Sequence, residues 1–240
     1  MVSRFEGAII AAGRGERLRV SGGASHPKPL VELCGEPLLT RQAVAMLAAG
    51  ASRVHAVINS ETAQIARMKK ITMPERLELI VRDTPNSMQS LFALGEVIGT
   101  GRFLLATVDS VIPLPEFTRF THESEAMTDP AVKNSLDGVL GLVRWRGDKR
   151  PLYASVTFDG LISGLGDEQT ELVTAGIYFL TTKVFTFADE ANGRNLDALR
   201  RFLAMLIEKG LRLGAITLNE AIDIDEAADL ESAREAIRRS

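Results

Sequence analysis

Short, uninterrupted apolar runs alternate along the chain with stretches whose apolar positions recur every three or four residues. The runs suit strands buried on both faces and the periodic stretches suit amphipathic helices. Their alternation predicts an α/β fold in which crossover helices join the strands of a parallel sheet. Residues 7–12 form the first run, and residues 53–58, 77–81 and 102–108 the next three. A helix is expected after Pro37, whose fixed φ suits a first turn, with an apolar face of Val44, Leu47 and Ala48 and an end at Gly50. Residues 61–70 are helical in composition, and residues 87–98 place Leu91, Leu94 and Ile98 on one stripe. The segment 13–36 has no such period. It holds four further glycines after Gly13 together with Pro27 and Pro29, and reads as a loop in which regular structure resumes only after Pro37. A loop of that length is usually functional.

Beyond Asp109, where Pro113 and Pro115 follow, the pattern changes. Residues 138–145, 152–158 and 161–165 are short strand-like pieces, the last two joined by the hairpin signal Asp159-Gly160. A strand over 173–180 leads into helical stretches. The clearest is 196–209, with Leu199, Phe202, Leu203 and Leu206 on one side and Gly210 closing it. Residues 213–218 and 221–224 are short strand candidates, and 226–239 is a terminal helix packing through Leu230, Ala233 and Ile237. No internal repeat or low-complexity segment interrupts this order.

Composition narrows the class. Of 240 residues, 45% are hydrophobic and 25% charged, enough apolar surface for a sizeable core. The 28 basic and 31 acidic residues leave a net charge of −3, so no total field draws the protein to nucleic acid or to an anionic membrane. No apolar run approaches the ~20 residues of a membrane span, and the start Met-Val-Ser-Arg-Phe-Glu lacks a signal core; the expected location is cytoplasmic. Cys34 stands alone, and His26, His55 and His122 are too scattered to suggest a zinc pair.

The densest candidate chemistry follows the first strand: Ala11-Ala12-Gly13-Arg14-Gly15-Glu16-Arg17-Leu18, then His26-Pro27-Lys28-Pro29-Leu30. Glycines there let backbone N–H groups approach phosphate oxygens, and the cations neutralise them. A dinucleotide fingerprint would need glycine where Leu18 stands and an immediate helix, neither of which the sequence offers, and the missing glycine speaks against a nicotinamide oxidoreductase; a Walker loop would need Gly-Lys-Ser/Thr, which is absent too. A bare Gly-x-Gly is also compatible with an ordinary surface connection. Asp109 is expected at the carboxyl end of a buried strand, where open α/β sheets bind ligands, although aspartate is common in turns at such ends.

Ala-Ala-Gly-x-Gly-x-Arg-Leu followed by Pro-Lys-Pro-Leu resembles the signature of the nucleotidyltransferases that make nucleotide-activated sugars and related phosphates. Thr107-Val108-Asp109 falls where that family keeps a metal-binding aspartate. Residues 173–178, Val-Thr-Ala-Gly-Ile-Tyr, resemble its later Gly-Ile-Tyr strand. Residues 222–230, Ile-Asp-Ile-Asp-Glu-Ala-Ala-Asp-Leu, are similar to its terminal Asp-x-Asp-x-x-x-Asp-Leu element. The resemblance implies a Rossmann-like, three-layer mixed β-sheet of the nucleotide-diphospho-sugar transferase type with a small hairpin-rich acceptor-binding part. It implies one domain over 1–240, nucleotide-binding to about residue 112 and acceptor-binding beyond.

It also implies a reaction in which a substrate phosphate attacks the α-phosphorus of a nucleoside triphosphate and pyrophosphate leaves. Mg²⁺ would be held by Asp109 and Asp225, Arg17 would hold the β- and γ-phosphates, and Lys28 the α-phosphate or the incoming phosphate. Ala11, Ala12, Gly13, Arg14 and Gly15 would line the nucleotide, with Asn86 and Ser90 near the base. Lys149, Arg150 and Gly176 would meet the acceptor. Asn86 serves equally as a helix N-cap, Lys149 and Arg150 as solvated hairpin charges, and Asp225 as a cap beside the alternative ligand Asp223. The spacing from Asn86 to Ser90 resembles the cytidylyltransferase branch that activates choline phosphate. One Trp and two Tyr make an aromatic cage for a quaternary ammonium hard to assemble, with Trp145 and Tyr153 as contributors.

The partners so implied are a nucleoside triphosphate and a small phosphorylated acceptor, with neither nucleic acid nor membrane; an oligomer stays open, no motif marking its surface. Two competing readings remain: a molybdenum-cofactor-type guanylyltransferase, and a non-catalytic nucleotide-binding regulatory protein.

Overall fold

A computed structural model describes residues 5–24, 26–147 and 151–239. The chain runs β1 (Glu6–Ala11), α1 (Glu16–Val20), a 3-10 turn (Lys28–Leu30), β2 (Glu32–Leu33), β3 (Glu36–Pro37), α2 (Leu38–Ala48), β4 (Val54–Ile58), α3 (Ser60–Met68), β5 (Leu77–Val81), α4 (Ser87–Gly95), β6 (Arg102–Thr107) and β7 (Ser110–Val111). It continues α5 (Leu114–Met127), β8 (Gly138–Arg144), β9 (Tyr153–Val156), β10 (Ile162–Gly166), β11 (Leu172–Thr181), a 3-10 segment (Thr182–Phe187), α6 (Ala188–Gly193), α7 (Leu199–Glu208), β12 (Leu213–Thr217), β13 (Ile222–Asp223) and α8 (Ala227–Arg239).

Nine strands form one mixed sheet. The order β10-β9-β11-β6-β1-β4-β5 is extended by β8, which pairs with β11 and β12. β1 is central and parallel to both β4 and β6, and β4 is parallel to β5. β11 then runs antiparallel to β6, β8 and β9. Every residue of β1 is buried: Gly7 to Ala11 form an unbroken apolar run, and the buried Glu6 carboxylate accepts a hydrogen bond from Gly99 N at 2.9 Å. Successive side chains alternate between two cores: Ile9 and Ala11 join α2, α5 and α8 on one face, while Ala8 and Ile10 join α4 and α7 on the other. The arrangement is the expected three-layer α/β architecture. Gly7 lets α2 lie close to β1, since a Cβ there would stand 2.8 Å from Met46 Sδ.

Three sequence expectations change. The segment 13–36 is not structureless before Pro37: it contains α1, the 3-10 turn and the β2–β3 hairpin. α1 is anchored by Leu18, 1% exposed, a single apolar residue too little to show as a period. α2 buries Leu39, Ala43 and Met46 rather than the stripe of Val44, Leu47 and Ala48; Val44 is 44% exposed. Both stripes are apolar, so periodicity alone does not choose, and the bulkier one packs against β1. Finally, α5 has no counterpart in the expected elements. Pro113 and Pro115 look like breakers, yet Pro113 is the N-cap and Pro115 lies in the first turn, where a missing N–H costs nothing. Phe117, Phe120, Thr121 and Ser124 then bury one helical face, each phenylalanine contributing about 2–3 kcal/mol of apolar burial.

Candidate active site

The carboxyl ends of β1, β4 and β6 open on the same edge of the sheet. After β1, Gly13 has no atom near its Cβ position and leaves the backbone open, whereas Gly15 adopts φ +63° to begin α1. A Cβ on Gly15 would stand 2.8 Å from Lys28 Cβ, so this glycine lets the 26–30 turn fold back and carry Lys28 under the loop. After β4, Asn59 caps α3 by accepting from Thr62 N at 2.8 Å, and its amide donates to Ala12 O at 3.0 Å. This buried side chain ties the end of β1 to the start of α3. After β6 comes Asp109.

Long-range pairing completes the floor. β7, just past Asp109, pairs antiparallel with β13, and Ile224 N donates to Asp109 O at 3.1 Å. Asp223 and Asp225 are thereby brought beside Asp109, and one oxygen from each of the three carboxylates lies within 4.8 Å of the others. Lys28 Nζ donates to Asp109 Oδ2 at 2.6 Å and to Asp225 Oδ1 at 3.1 Å, and Arg17 pairs with Asp225 Oδ2 at 2.6 Å. Asp225 therefore does not cap α8. Asp229 accepts from the backbone N–H groups of Asp225 and Glu226 at 2.9 and 2.7 Å, and Ser21 Oγ accepts from Ala227 N at 3.0 Å. The Asp109 carboxylate faces the lysine, which goes beyond what a turn former needs.

Burial works against ionising Asp109, but the Lys28 ammonium, by charge and hydrogen bond, and the Thr107 hydroxyl outweigh it and hold its pKa below the usual value. Burial likewise opposes the Lys28 charge, and the carboxylates, Asp109 above all, raise its pKa regardless. Asp223 opens onto the cleft but is hemmed in by protein. That desolvation, then the Asp109 charge, push its pKa well up.

Two adjoining clefts meet at this cluster, sharing Arg17, Ser87, Thr107, Asp109 and Asp225 in their walls. The larger, about 1130 Å³, is lined by Ala12, Gly13, Arg14, Gly15, Lys28, Asn59, Asn86 and Ser90 among others. Ala11 is not in its wall: strand alternation turns its side chain into the core, 1% exposed. Asn86 caps α4 through Gln89 N at 2.9 Å, and Ser90 Oγ contacts Thr84 Oγ1 at 2.6 Å, so both serve the helix start while bordering the cleft. Among the described residues this lining has no aromatic side chain.

The second cleft, about 440 Å³, is bounded by Ser110, Arg146, Thr174, Gly176, Tyr178, Arg200 and Asp223. Gly176 has φ +72° where β11 breaks register against β8, and a Cβ there would fall 1.8 Å from Ser110 Oγ. Tyr178, buried, has its hydroxyl pKa pushed up to about 12 by desolvation. Trp145 and Tyr153 meet edge to face at 5.9 Å but line neither cleft, so they build no cage around an acceptor. Lys149 and Arg150 lie outside the described residues.

Sequence reasoning did not single out Asn59, Arg146 or Arg200, and it quoted Thr107 and Tyr178 only as members of a motif, with no role of their own. Asn59 had a usable signal, a cap residue directly after an apolar run. Tyr178 sits two residues past Gly176, on the same strand.

Comparison with known proteins gives the family and the fold. Residues 7–156 match the MobA-like NTP transferase domain family. No curated protein sequence matches the chain significantly. Among solved structures, the inositol-1-phosphate CTP transferase from T. maritima superposes with a TM-score of 0.75 at 17% identity, over 99% of this chain and 98% of that one. The CTP:phosphocholine cytidylyltransferase of Streptococcus pneumoniae gives 0.71 at 19%, over 97% and 99%. HddC from Yersinia pseudotuberculosis gives 0.72 at 20%, also over 97% and 99%. At these identities the likeness is one of fold. Among the described residues, no helix is long and apolar enough to cross a membrane.

Proposed function

The chain belongs to the MobA-like NTP transferase domain family and is a nucleotidyltransferase, and on that premise we propose that it joins a nucleoside triphosphate to a sugar-1-phosphate or another small phosphorylated alcohol, with Mg²⁺ and with release of pyrophosphate. The observation that carries this reading is the position of the Lys28, Arg17 and carboxylate cluster at the junction of two clefts. A phosphate from one side can there meet a triphosphate from the other. An acceptor phosphate oxygen attacks the α-phosphorus, the bond from that phosphorus to the bridging oxygen of the β-phosphate breaks, and pyrophosphate carries away the electron pair.

The chain's residues act by positioning and charge, since the reaction needs no protein nucleophile. Gly13 and Gly15 open backbone to the triphosphate, Arg14 and Arg17 face its outer phosphates, and Lys28 the α-phosphate. Three convergent carboxylates are hard oxygen donors of the kind Mg²⁺ prefers, so the donor set fits that ion, with Asp109 and Asp225 as holders and Asp223 as a third. The chemistry such an ion supplies when bound is charge neutralisation and alignment of phosphate oxygens.

On the acceptor side the lining is polar and of mixed charge: Arg146 and Arg200 offer cations to a phosphate, the carboxylates of Asp223, Glu226 and Asp229 and the hydroxyls of Ser110 and Thr174 offer hydrogen-bond partners to a polyol, and Tyr178 is the one aromatic among the described lining residues. That chemistry suits a sugar or polyol phosphate better than a quaternary amine. Of the solved structures, the one named for inositol-1-phosphate supports the same class, and the one named for phosphocholine would take the alternative. The nucleotide side is built mainly from residues up to about 112 and the acceptor side mainly from 113–240, with Arg17, Ser87, Thr107, Asp109 and Asp225 common to both.

The test is pyrophosphate release with CTP, UTP, GTP and ATP in turn, with Mg²⁺, against a panel of sugar-1-phosphates, small alcohol phosphates and a pterin phosphate. Turnover with one pair is the expected result and names the base. Tight nucleotide binding with no turnover across the panel, or turnover only with GTP and a pterin-type acceptor, would replace this reading by one of its two competitors.

A further inference from the structure

In the cluster, Lys28 stands in the bridge between Asp109 and Asp225. Its ammonium is 2.6 Å from one carboxylate and 3.1 Å from the other, and the residue is 8% exposed. Two oxygens ligating one Mg²⁺ at about 2.0–2.1 Å lie no more than about 4.2 Å apart, so an ion held by both carboxylates would claim the bridge that the ammonium fills. Charge points the same way. Asp109 and Asp225 are already balanced by Lys28 and Arg17, so an ion arriving alone meets two cations paired with its ligands.

We infer that Lys28 is a place-holder for the ion: its ammonium competes with a divalent cation for Asp109 and Asp225, and a nucleoside triphosphate makes room by drawing that ammonium onto its own phosphates. The inference rests on the metal-dependent transfer proposed above. Lys28 is built for such a change of partner. Its stem is pinned at the base, because Gly15 packs directly over Cβ, while the four-carbon chain leaves the tip free to re-aim. Lys28 also lines the nucleotide cleft, so the new partner arrives where the tip already is. Nucleotide and ion must then strengthen each other's binding by the same factor, as linkage requires.

The test follows Mn²⁺ binding by electron paramagnetic resonance of the free ion, with and without a non-hydrolysable α,β-methylene triphosphate, correcting for Mn²⁺ held by free nucleotide. Wild-type protein is expected to bind Mn²⁺ at least about tenfold more tightly when the analogue is present. Lys28→Met should bind Mn²⁺ without nucleotide at least about tenfold more tightly than wild type, whereas Lys28→Arg, which keeps the charge, should stay near wild type. If Lys28→Met is unfolded alone, added Mn²⁺ should restore its circular dichroism, and failure to do so at saturating ion overturns the inference. Mn²⁺ affinity in Lys28→Met equal to or weaker than wild type also overturns it, with the transfer reading untouched. No Mn²⁺ binding by wild type even with the analogue would remove both.

Discussion

On the nucleotide side of the cleft, Ala12, Asn59 and Asp109 follow the ends of three adjacent parallel strands, β1, β4 and β6. On the acceptor side, Gly176 and Tyr178 lie within an antiparallel strand that loses register between Thr174 and Tyr178. The first wall is set by where strands stop, a property of short apolar runs and the polar residues after them. The second is set by an irregularity in one strand and by the pairing of β7 with β13, segments more than a hundred residues apart in sequence. Parallel strand ends are thus a sturdy way to place a ligand, and a break in register places one only while its distant partners hold. The two walls should respond differently to damage.

The largest effect is expected where they meet. Asp109→Asn removes one charge from the floor shared by both clefts, and turnover should fall about a thousandfold, with far-ultraviolet circular dichroism unchanged. Turnover within tenfold of wild type would sink the role of Asp109.

Next come paired glycine substitutions that separate the walls. Gly176→Ala places a methyl 1.8 Å from Ser110 Oγ at a backbone angle unfavourable to alanine, and should cost about 2–4 kcal/mol of stability. Its acceptor KM should rise about tenfold with nucleotide affinity within threefold. Gly15→Ala, which presses on Lys28, should do the reverse, weakening nucleotide about tenfold while leaving the acceptor KM nearly unchanged. Steady-state kinetics with calorimetry of nucleotide binding checks both. Equal effects on both ligands from either variant would erase the distinction between the walls.

The same contrast governs how far the sequence could be read. The strands of the first wall were legible because an apolar run with polar ends is local: β5 falls on the expected residues 77–81, and β4 and β6 within a residue of theirs. The cluster of Arg17, Lys28, Asp109 and Asp225 was legible only through motif resemblance, since 197 positions separate Lys28 from Asp225. Asp223 could be suspected from its two-residue spacing to Asp225, but its convergence on Asp109 depends on the β7–β13 pairing, to which such short segments give little clue. Ala11 shows the limit within a motif: alternation along β1 sends its side chain into the core, whatever the backbone around it does. The buried face of α2 required knowing how closely Gly7 lets Met46 approach.

A smaller effect tests how the first wall is stitched. Asn59→Ala removes the cap of α3 and the hydrogen bond to Ala12 O, and should lower stability by about 1–2 kcal/mol, measured by urea unfolding. Nucleotide affinity should fall with it, because the end of β1 loses its tether. Asn59→Asp keeps the cap oxygen but not the amide donor, and should recover the helix part alone. Recovery of both by aspartate would mean that the bond to Ala12 has no part in holding the loop.

The smallest effect belongs to the second wall and is read through pH. Tyr178 ionises in the unfolded chain near the ordinary value of 10.0, but in the fold only near about 12, because its hydroxyl is buried. A folded pKa raised above the unfolded one leaves stability unaffected below pH 10. It then costs stability as the pH rises from 10 toward 12, where the unfolded state releases the proton and the folded state keeps it. Tyr178→Phe lacks this proton. The difference in unfolding free energy, wild type minus variant, should therefore be flat to pH 9 and fall by about 1 kcal/mol by pH 11. Nothing on the nucleotide wall titrates through a tyrosine, since the described lining of that cleft has none. A nucleotide or an acceptor present at saturation should leave this pH difference nearly unchanged, because Tyr178 is already buried without either. A difference that stays flat through pH 11 would show that water reaches the Tyr178 hydroxyl, and that the broken register of β11 leaves the acceptor wall looser than its packing implies.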